Sequence, residues 1–305
     1  MFVEDWKLVE KRPIIDTIPQ RIADEMIVTE KFVNNNTLEG WEKIWTKNLV
    51  ENNNRWDFQK YSAKKLKDTN KRGACFLIGA GPSLKYNIRF LKDKKGIIIA
   101  SSHILKTLLA NGIKPHYVIV LDAKDVQAEF LDVGDESKNL TLISDILVSP
   151  LIWDKWKGKV LFFQAETFDK IKEMIRKYTD FDCEITTGGH VIGAAYIIAC
   201  SMKSKRIVFV GTDYCNDLSP AIKYSNNLYG EDDKNSGSDA MITCDIQGKG
   251  VYTLLRQYIN KFWLDCISFQ FPDIEHINAT EGGILGAYLE GNLRTIKQMR
   301  LKEVN

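Results

Sequence analysis

At 305 residues the chain has enough surface to bury one large or two modest domains. Lys and Arg number 42 against 40 Asp and Glu, a formal net charge of +2, which excludes a global field suited to nucleic acid or an acidic membrane, so partners must be argued from sites. No stretch reaches the roughly 18 apolar residues of a membrane span. The opening MFVEDWKLVEKR carries charge where a secretory leader needs an apolar core, and the six cysteines form no C-x-x-C pair, so a reduced, cytoplasmic protein is expected.

Residues 1–72 are polar and aromatic and lack strand-like apolar runs, so they read as a helical N-terminal appendage. Leu38, Trp41, Ile44, Trp45, Leu49 and Val50 approximate one helical face before Asn52, Asn53 and Asn54 break the pattern. That stripe is expected to pack against the main domain. From Gly73 onward, apolar runs alternate with amphipathic segments, the signature of an α/β sheet.

The first run, ACFLIGAGPSL from Ala74 to Leu84, reads as strand, small-residue turn and helix start. Gly79 and Gly81 allow a sharp turn and close approach, Pro82 suits a first helical turn, and Ser83 can cap or donate a hydroxyl. Free N–H groups at such a start favour phosphate, although a ligand-free tight turn reads equally well. Leu84 stands where the dinucleotide fingerprint needs its third glycine, and no Gly-Lys-Ser/Thr ending is present. A second strand, GIIIAS, ends at Ser101 and Ser102, and YVIVLD places Asp122 at a strand's C-terminal end, the edge that faces the ligand crevice in open α/β sheets. LTLISDIL and KVLFFQ supply two more strands.

TTGGHVIGAAYIIACSMKSKRIVFVG, residues 186–211, repeats the opening logic: Gly188 and Gly189 precede a helix apolar on nearly every side, and the next strand releases Thr212, Asp213 and Tyr214. Residues 215–249 read as a long polar segment, a lid or disordered, carrying Tyr224, Tyr229, Asp239 and the solvated cluster Glu231, Asp232 and Asp233. A helix is expected over Val251–Trp263, a strand at ISFQF (267–271), a second glycine pair beside Glu281 in INATEGGILG, and a charged C-terminal helix over 291–305. His190 can act as a neutral base at a helix start or simply bond a neighbouring loop. His103, His116 and His276 lack partner spacing and read as structural.

FLIGAGPSL, IKPHYVIVLDA, TGGHV with VGTDY, and INATEGGILG together resemble one family. It joins the bacterial motility accessory factor proteins, a group of flagellin glycosyltransferases, to the archaeal 6-hydroxymethylpterin diphosphokinases (MptE-like). The likeness runs from about Ala74 to Gly286, and implies a Rossmann-like, mostly parallel sheet with helices on both faces. The expected domains are the appendage (1–72), the nucleotide-binding α/β domain (73–290) and a C-terminal helix (291–305).

The motility accessory factor central domain is similar to sialyltransferases that use a CMP-sugar without a metal cofactor. Through that likeness Gly79, Gly81, Pro82 and Ser83 line the nucleotide phosphate or ribose, Ser101 and Ser102 meet the cytidine side, and Gly188 and Gly189 flank the sugar. Tyr214 and Tyr224 donate to the leaving phosphate. Asp122, from its place at a strand end, joins the binding set with Gly282 and with Glu281, which either binds a ligand or caps the next turn. Those enzymes place a base histidine where this chain reads Thr243, Cys244, Asp245, so the role falls to Asp213, Asp245 or His190. The diphosphokinase alternative binds ATP with Mg²⁺ on Asp122, Asp125 and Asp213, the first two converging if a helix starts between them. The leading expectation is transfer of a nonulosonate-type sugar from a CMP-activated donor to an acceptor hydroxyl on a protein or glycan, with no nucleic-acid partner. A second alternative is a nucleotide-binding or interaction module without catalysis.

Overall fold

The computed structural model describes residues 41–166, 169–217, 240–286 and 296–304. Nine strands form one sheet in the order β12-β11-β7-β1-β2-β3-β4-β5-β6. Its members are β1 (Ala74–Ile78), β2 (Ile97–Ser101), β3 (Tyr117–Val120), β4 (Thr141–Asp145), β5 (Lys159–Ala165), β6 (Glu184–Ile185), β7 (Arg206–Val210), β11 (Glu275–Asn278) and β12 (Ile296–Gln298). Every pairing is parallel. The chain walks outward from β1 to β6, returns to the other flank of β1 with β7, and continues through β11 and β12, so the strand order reverses between β1 and β7.

Alternation along the strands explains the layers. Cys75 and Leu77 join one core cluster while Phe76 and Ile78 join another on the opposite face. The first core takes in α7 (Val191–Ser201), buried from Ile192 to Cys200 as its apolar circumference requires. The second takes in Leu84 of α2 (Leu84–Asn87) and Leu105 lies opposite it on α3 (Leu105–Ala110), whose Leu108 faces this second core. Further helices are α4 (Val126–Leu131), α5 (Ile152–Lys155) and α6 (Asp169–Arg176). Among the described residues no helix is long and apolar enough to cross a membrane.

The expected appendage, where described, belongs to the sheet's own core. Residues 41–55 form helix α1, and Leu49, Phe58, Ala63 and Leu66 share a cluster with β1 to β5. Its buried face is set by asparagines as well as by the apolar stripe. Asn48 donates to the carbonyls of Ala123 and Leu147 at 3.1 and 3.0 Å, and Asn52 to those of Ile146 and Val148 at 2.9 Å each. The Asn52 carbonyl oxygen accepts from the Trp153 indole at 2.6 Å. The helix therefore runs through the asparagines that the sequence pattern treats as a break, and Ile44 of the expected stripe is exposed.

Three further expectations are corrected. Residues 251–254 belong to strand β10 (Gly250–Leu254), not to the following helix, because they pair antiparallel with β9 (Ala240–Cys244) and β8 (Asn216–Asp217) in a small second sheet. That sheet also occupies the two ends of the polar segment expected as a lid or disordered. Helix α8 runs Leu255–Ile267 and passes into a 3₁₀ turn at Ser268–Gln270, so ISFQF forms no strand. A five-residue apolar run is ambiguous between strand and buried helix, and here the helix already under way decides it. In place of the C-terminal helix, 296–304 provide strand β12, paired with β11, and a 3₁₀ turn at Leu301–Glu303.

Two predictions follow from this packing. Replacing Asn52 with Ala orphans two carbonyls and an indole N–H, and is expected to cost about 3 kcal/mol in urea unfolding. Burial lowers the His276 imidazole, which bonds the Tyr196 hydroxyl at 2.9 Å, to about 4. The folded ring thus stays neutral while the unfolded chain takes up a proton below about 6.5. Stability should decline as pH falls from about 6.5 toward about 4, by on the order of 3 kcal/mol, and a His276→Gln chain should show a shallower decline.

Candidate functional site

The reversal between β1 and β7 puts the loops that leave them side by side. Gly79 N–H donates to the Val210 carbonyl at 2.9 Å and Gly81 N–H to that of Gly211 at 2.7 Å. A Cβ on Gly79 would meet the Gly211 oxygen at 2.4 Å, and one on Gly81 would meet Asp213 Oδ2 at 1.9 Å. Both glycines are therefore required by contact between the loops. Pro82 is exposed in the turn that leads to α2.

Asp213 occupies the position that the sequence reading reserves for a phosphate. Ser83 N–H donates to its Oδ1 at 3.1 Å and the Ser83 hydroxyl to its Oδ2 at 2.8 Å. The chain thus supplies its own anion to the start of α2. Burial raises the Asp213 carboxyl to about 6 against the lowering effect of the Ser83 bonds, bringing its titration near neutrality.

A third loop, after β11, closes on the same aspartate. Ile284 N–H donates to the Asp213 carbonyl at 2.9 Å, and a Cβ on Gly283 would stand 2.5 Å from Asp213 Cα. Thr280 Oγ1 bonds both the N–H and the hydroxyl of Thr212. Gly282 faces Ser83, with a Cβ there 3.7 Å from that of the serine. Glu281, at φ +62°, turns its carboxylate to Leu301 N–H at 3.0 Å and Asn87 Nδ2 at 3.4 Å, so it ties the loop to the C-terminal segment. Asp245 caps the β9–β10 turn by accepting from the N–H groups of Gln247 and Lys249, and that turn docks on the Glu281 and Gly283 carbonyls.

His190 is the N-cap of α7. Its Nδ1 accepts from Gly193 N–H at 3.0 Å, which places the proton of the neutral ring on Nε2, and burial lowers the imidazole to about 3. Its acceptor nitrogen is engaged, so the capping reading prevails over the base. The glycine pair before it divides: a Cβ on Gly188 would strike the Trp263 ring at 2.3 Å, whereas one on Gly189 would meet nothing within 4 Å. Gly189, at φ +77°, is the member open to a ligand. Tyr214 packs edge-on against His190, its ring centroid 5.8 Å away, and burial raises its hydroxyl well above the usual range.

Toward β3 the polar groups are spread along the edge. Ser101 is buried with its hydroxyl unpartnered among the described residues, while Ser102 donates to Gln127 Oε1 at 2.7 Å. Asp122 is half-buried and accepts from Lys124 N–H at 2.9 Å. Asp125 accepts from the Ser149 hydroxyl at 2.6 Å and lines a groove with Glu129 and Asp132 in which Asp122 has no part. Helix α4 begins at Val126, after both carboxylates, so the turn expected to bring them together is absent. Among the described residues no three His, Cys, Asp or Glu side chains converge as a cation site.

Tyr224, Tyr229, Asp239 and the Glu231, Asp232, Asp233 cluster lie outside the described residues. Two residues at this edge are not among the expected ones: Thr280, and Asp145, whose buried carboxyl is raised to about 7 while accepting from the N–H groups of Leu147 and Ala165. Its signal is present in the sequence: LTLISD ends a strand on a carboxylate just as YVIVLD does.

A family model described as 6-hydroxymethylpterin diphosphokinase MptE-like matches residues 45–218. The match starts inside α1 rather than at Ala74, so it includes the asparagine clamp and the Asp213 loop but stops short of β9. No curated protein matches the chain by sequence. A solved structure, the MAf glycosyltransferase from Magnetospirillum magneticum AMB-1, is similar with a TM-score of 0.60 and 15% identity, over 85% of this chain and 39% of that one. The chain thus spans well under half the length of that glycosyltransferase, and the likeness is one of fold.

The raised Asp213 carboxyl carries a stability consequence. An acid whose folded value exceeds its unfolded value costs stability as pH rises from about 4 to about 6, and the full cost persists above that range. Asp213→Asn keeps the shape without the charge, its amide oxygen accepting from Ser83 N–H and its amide N–H₂ donating to the Ser83 hydroxyl oxygen. It is expected to raise thermal stability at pH 7.5, by up to about 3 kcal/mol, with the advantage vanishing below about pH 4.

Proposed function

The chain belongs to the 6-hydroxymethylpterin diphosphokinase MptE-like family, and from that premise we propose that it is a nucleotide-dependent transferase moving a nonulosonate-type sugar from a CMP-activated donor to an acceptor hydroxyl. The observation that carries this reading is Asp213, a buried carboxylate at the reversal of strand order with a value of about 6, held by Ser83. Of the three candidate bases, Asp245 holds the β9–β10 turn through Oδ1, and His190 spends its acceptor nitrogen on a helix cap. Asp213 alone combines that position with a titration suited to proton transfer.

In this reading the acceptor oxygen forms a bond to the anomeric carbon, its proton passes to Asp213, and the bond between that carbon and the phosphate oxygen breaks to release CMP. Gly189 gives the donor backbone access, and Tyr214 shapes the wall beside it. The likeness in fold to a glycosyltransferase supports this choice of chemistry. The protein acceptor, or a glycan acceptor, approaches from the same edge.

The family's description favours a second reading, diphosphoryl transfer from ATP with Mg²⁺. Asp122 and Asp125 have different surroundings, so this chain fits a cation poorly as a carboxylate pair, and substrate phosphates would have to supply most of its ligands.

Thermal shift with CMP, UDP, GDP and ATP, each with and without Mg²⁺, separates the readings, because a ligand of the folded state raises its stability. Metal-free stabilisation by CMP is expected; stabilisation by ATP with Mg²⁺ alone would overturn sugar transfer. With a turning-over donor, Asp213→Asn should lower kcat about 10²- to 10⁴-fold, and wild-type activity should climb with pH through about 6 as the base loses its proton.

A further inference from the structure

Helix α1 carries more than its asparagine clamp. Trp41, Trp45, Asn48 and Asn52 stand at i, i+4, i+7 and i+11, on one helical face. Asn48 fixes that face over the loops after β3 and β4 through the carbonyls of Ala123 and Leu147. Two turns before Asn48, the Trp41 ring meets the same β3 loop, with the Lys124 ammonium over it, 5.5 Å from its centroid. Trp45 stacks behind it at 6.1 Å and 28° while itself packing on the core. Trp41 is only half-buried, so a supported aromatic ring borders the C-terminal edge of the sheet.

Asp122 precedes Lys124 by two residues in that loop. Its orientation is set by the 2.9 Å bond from Lys124 N–H to Oδ1, and a carboxylate offers about four acceptor sites, so capacity remains. Between this loop and the β1 turn lies the end of β2, where the Ser101 hydroxyl is buried without a partner among the described residues. β1 and β3 are separated by two interstrand spacings, about 10 Å. A single nucleotide laid along the edge covers such a distance with its base at the β3 loop.

We infer that Trp41 and Asp122 form the nucleobase end of the donor site, with the base stacked on Trp41 in place of the Lys124 ammonium and an exocyclic amino group donating to the Asp122 carboxylate. This subsite selects cytosine or adenine, whose amino groups are donors, over uracil, which presents a carbonyl oxygen at the corresponding position. It rests on the nucleotide-transferase reading and deepens it. It also assigns α1 a role in binding, where the sequence pattern shows only a packing stripe.

The test is calorimetric titration of the full chain with CMP, AMP and UMP. Wild type is expected to prefer CMP to UMP by about 10-fold. Trp41→Ala should weaken CMP about 10- to 100-fold, as loss of base–aromatic stacking does elsewhere, and Trp41→Phe should restore most of the affinity. Asp122→Asn should bring CMP and UMP close to parity, a readout that stands even if Trp41→Ala fails to fold. Wild type that binds CMP while both Trp41 variants match it, or while Asp122→Asn keeps the preference, overturns the subsite and leaves the transferase reading intact. Wild type that binds no nucleotide overturns both.

Discussion

The bond pair between Ser83 and Asp213 is the contact on which the C-terminal edge of the sheet depends. It joins the loops after β1 and β7 where the strand order reverses, and the loop after β11 closes over it. Three glycines around it answer to close contact between the loops: Gly79 and Gly81 make way for the β7 loop, and Gly283 for the Asp213 backbone. A glycine-rich turn that reads as a cradle for an external anion is thus already occupied by an internal one. The same burial that makes the contact rigid lifts the carboxyl toward neutrality, which links architecture to proton chemistry.

A second set of polar contacts governs the other half of the edge. Four backbone carbonyls beyond β3 and β4 would be left without partners inside the protein, and the amides of Asn48 and Asn52 satisfy them. Because amide donors must meet carbonyls at fixed geometry, they determine how α1 is rotated as well as where it packs. An apolar stripe alone would tolerate several rotations. The asparagines thereby set the direction in which Trp41 and Trp45 project.

The sequence is most informative where local pattern and tertiary context agree. The runs ACFLI, IIIAS, YVIV, TLISD and RIVFV become adjacent parallel strands, and the apolar VIGAAYIIACS becomes the buried helix it promises. It is least informative where a residue's partner is distant in the chain. Nothing local distinguishes an asparagine that ends a helix from one that caps carbonyls 94 residues away, as Asn52 does with Ile146. Likewise Val251 and Leu254 keep helical spacing with the residues after them, yet pairing with β9 pulls them into a strand. Within the candidate site, Asp213 and the glycines are legible as strand-end residues. That Glu281 and Asp245 serve turns and tethers, and that His190 caps a helix, becomes visible only in their hydrogen bonds.

The separation along the chain between Ser83 and Asp213, 130 residues, has a consequence for how the molecule comes into being. β1 is made early, but its partner on one flank is β7, so its inner edge stays open while β2 to β6 are added on the other side. Closing so long a loop is slow in comparison with local helix formation. During synthesis the apolar β1 must therefore wait for β7 to leave the ribosome, and the carboxylate that completes the site arrives in the same step that seals the centre of the sheet. Acquisition of the site and closure of the open β1 edge are one kinetic event.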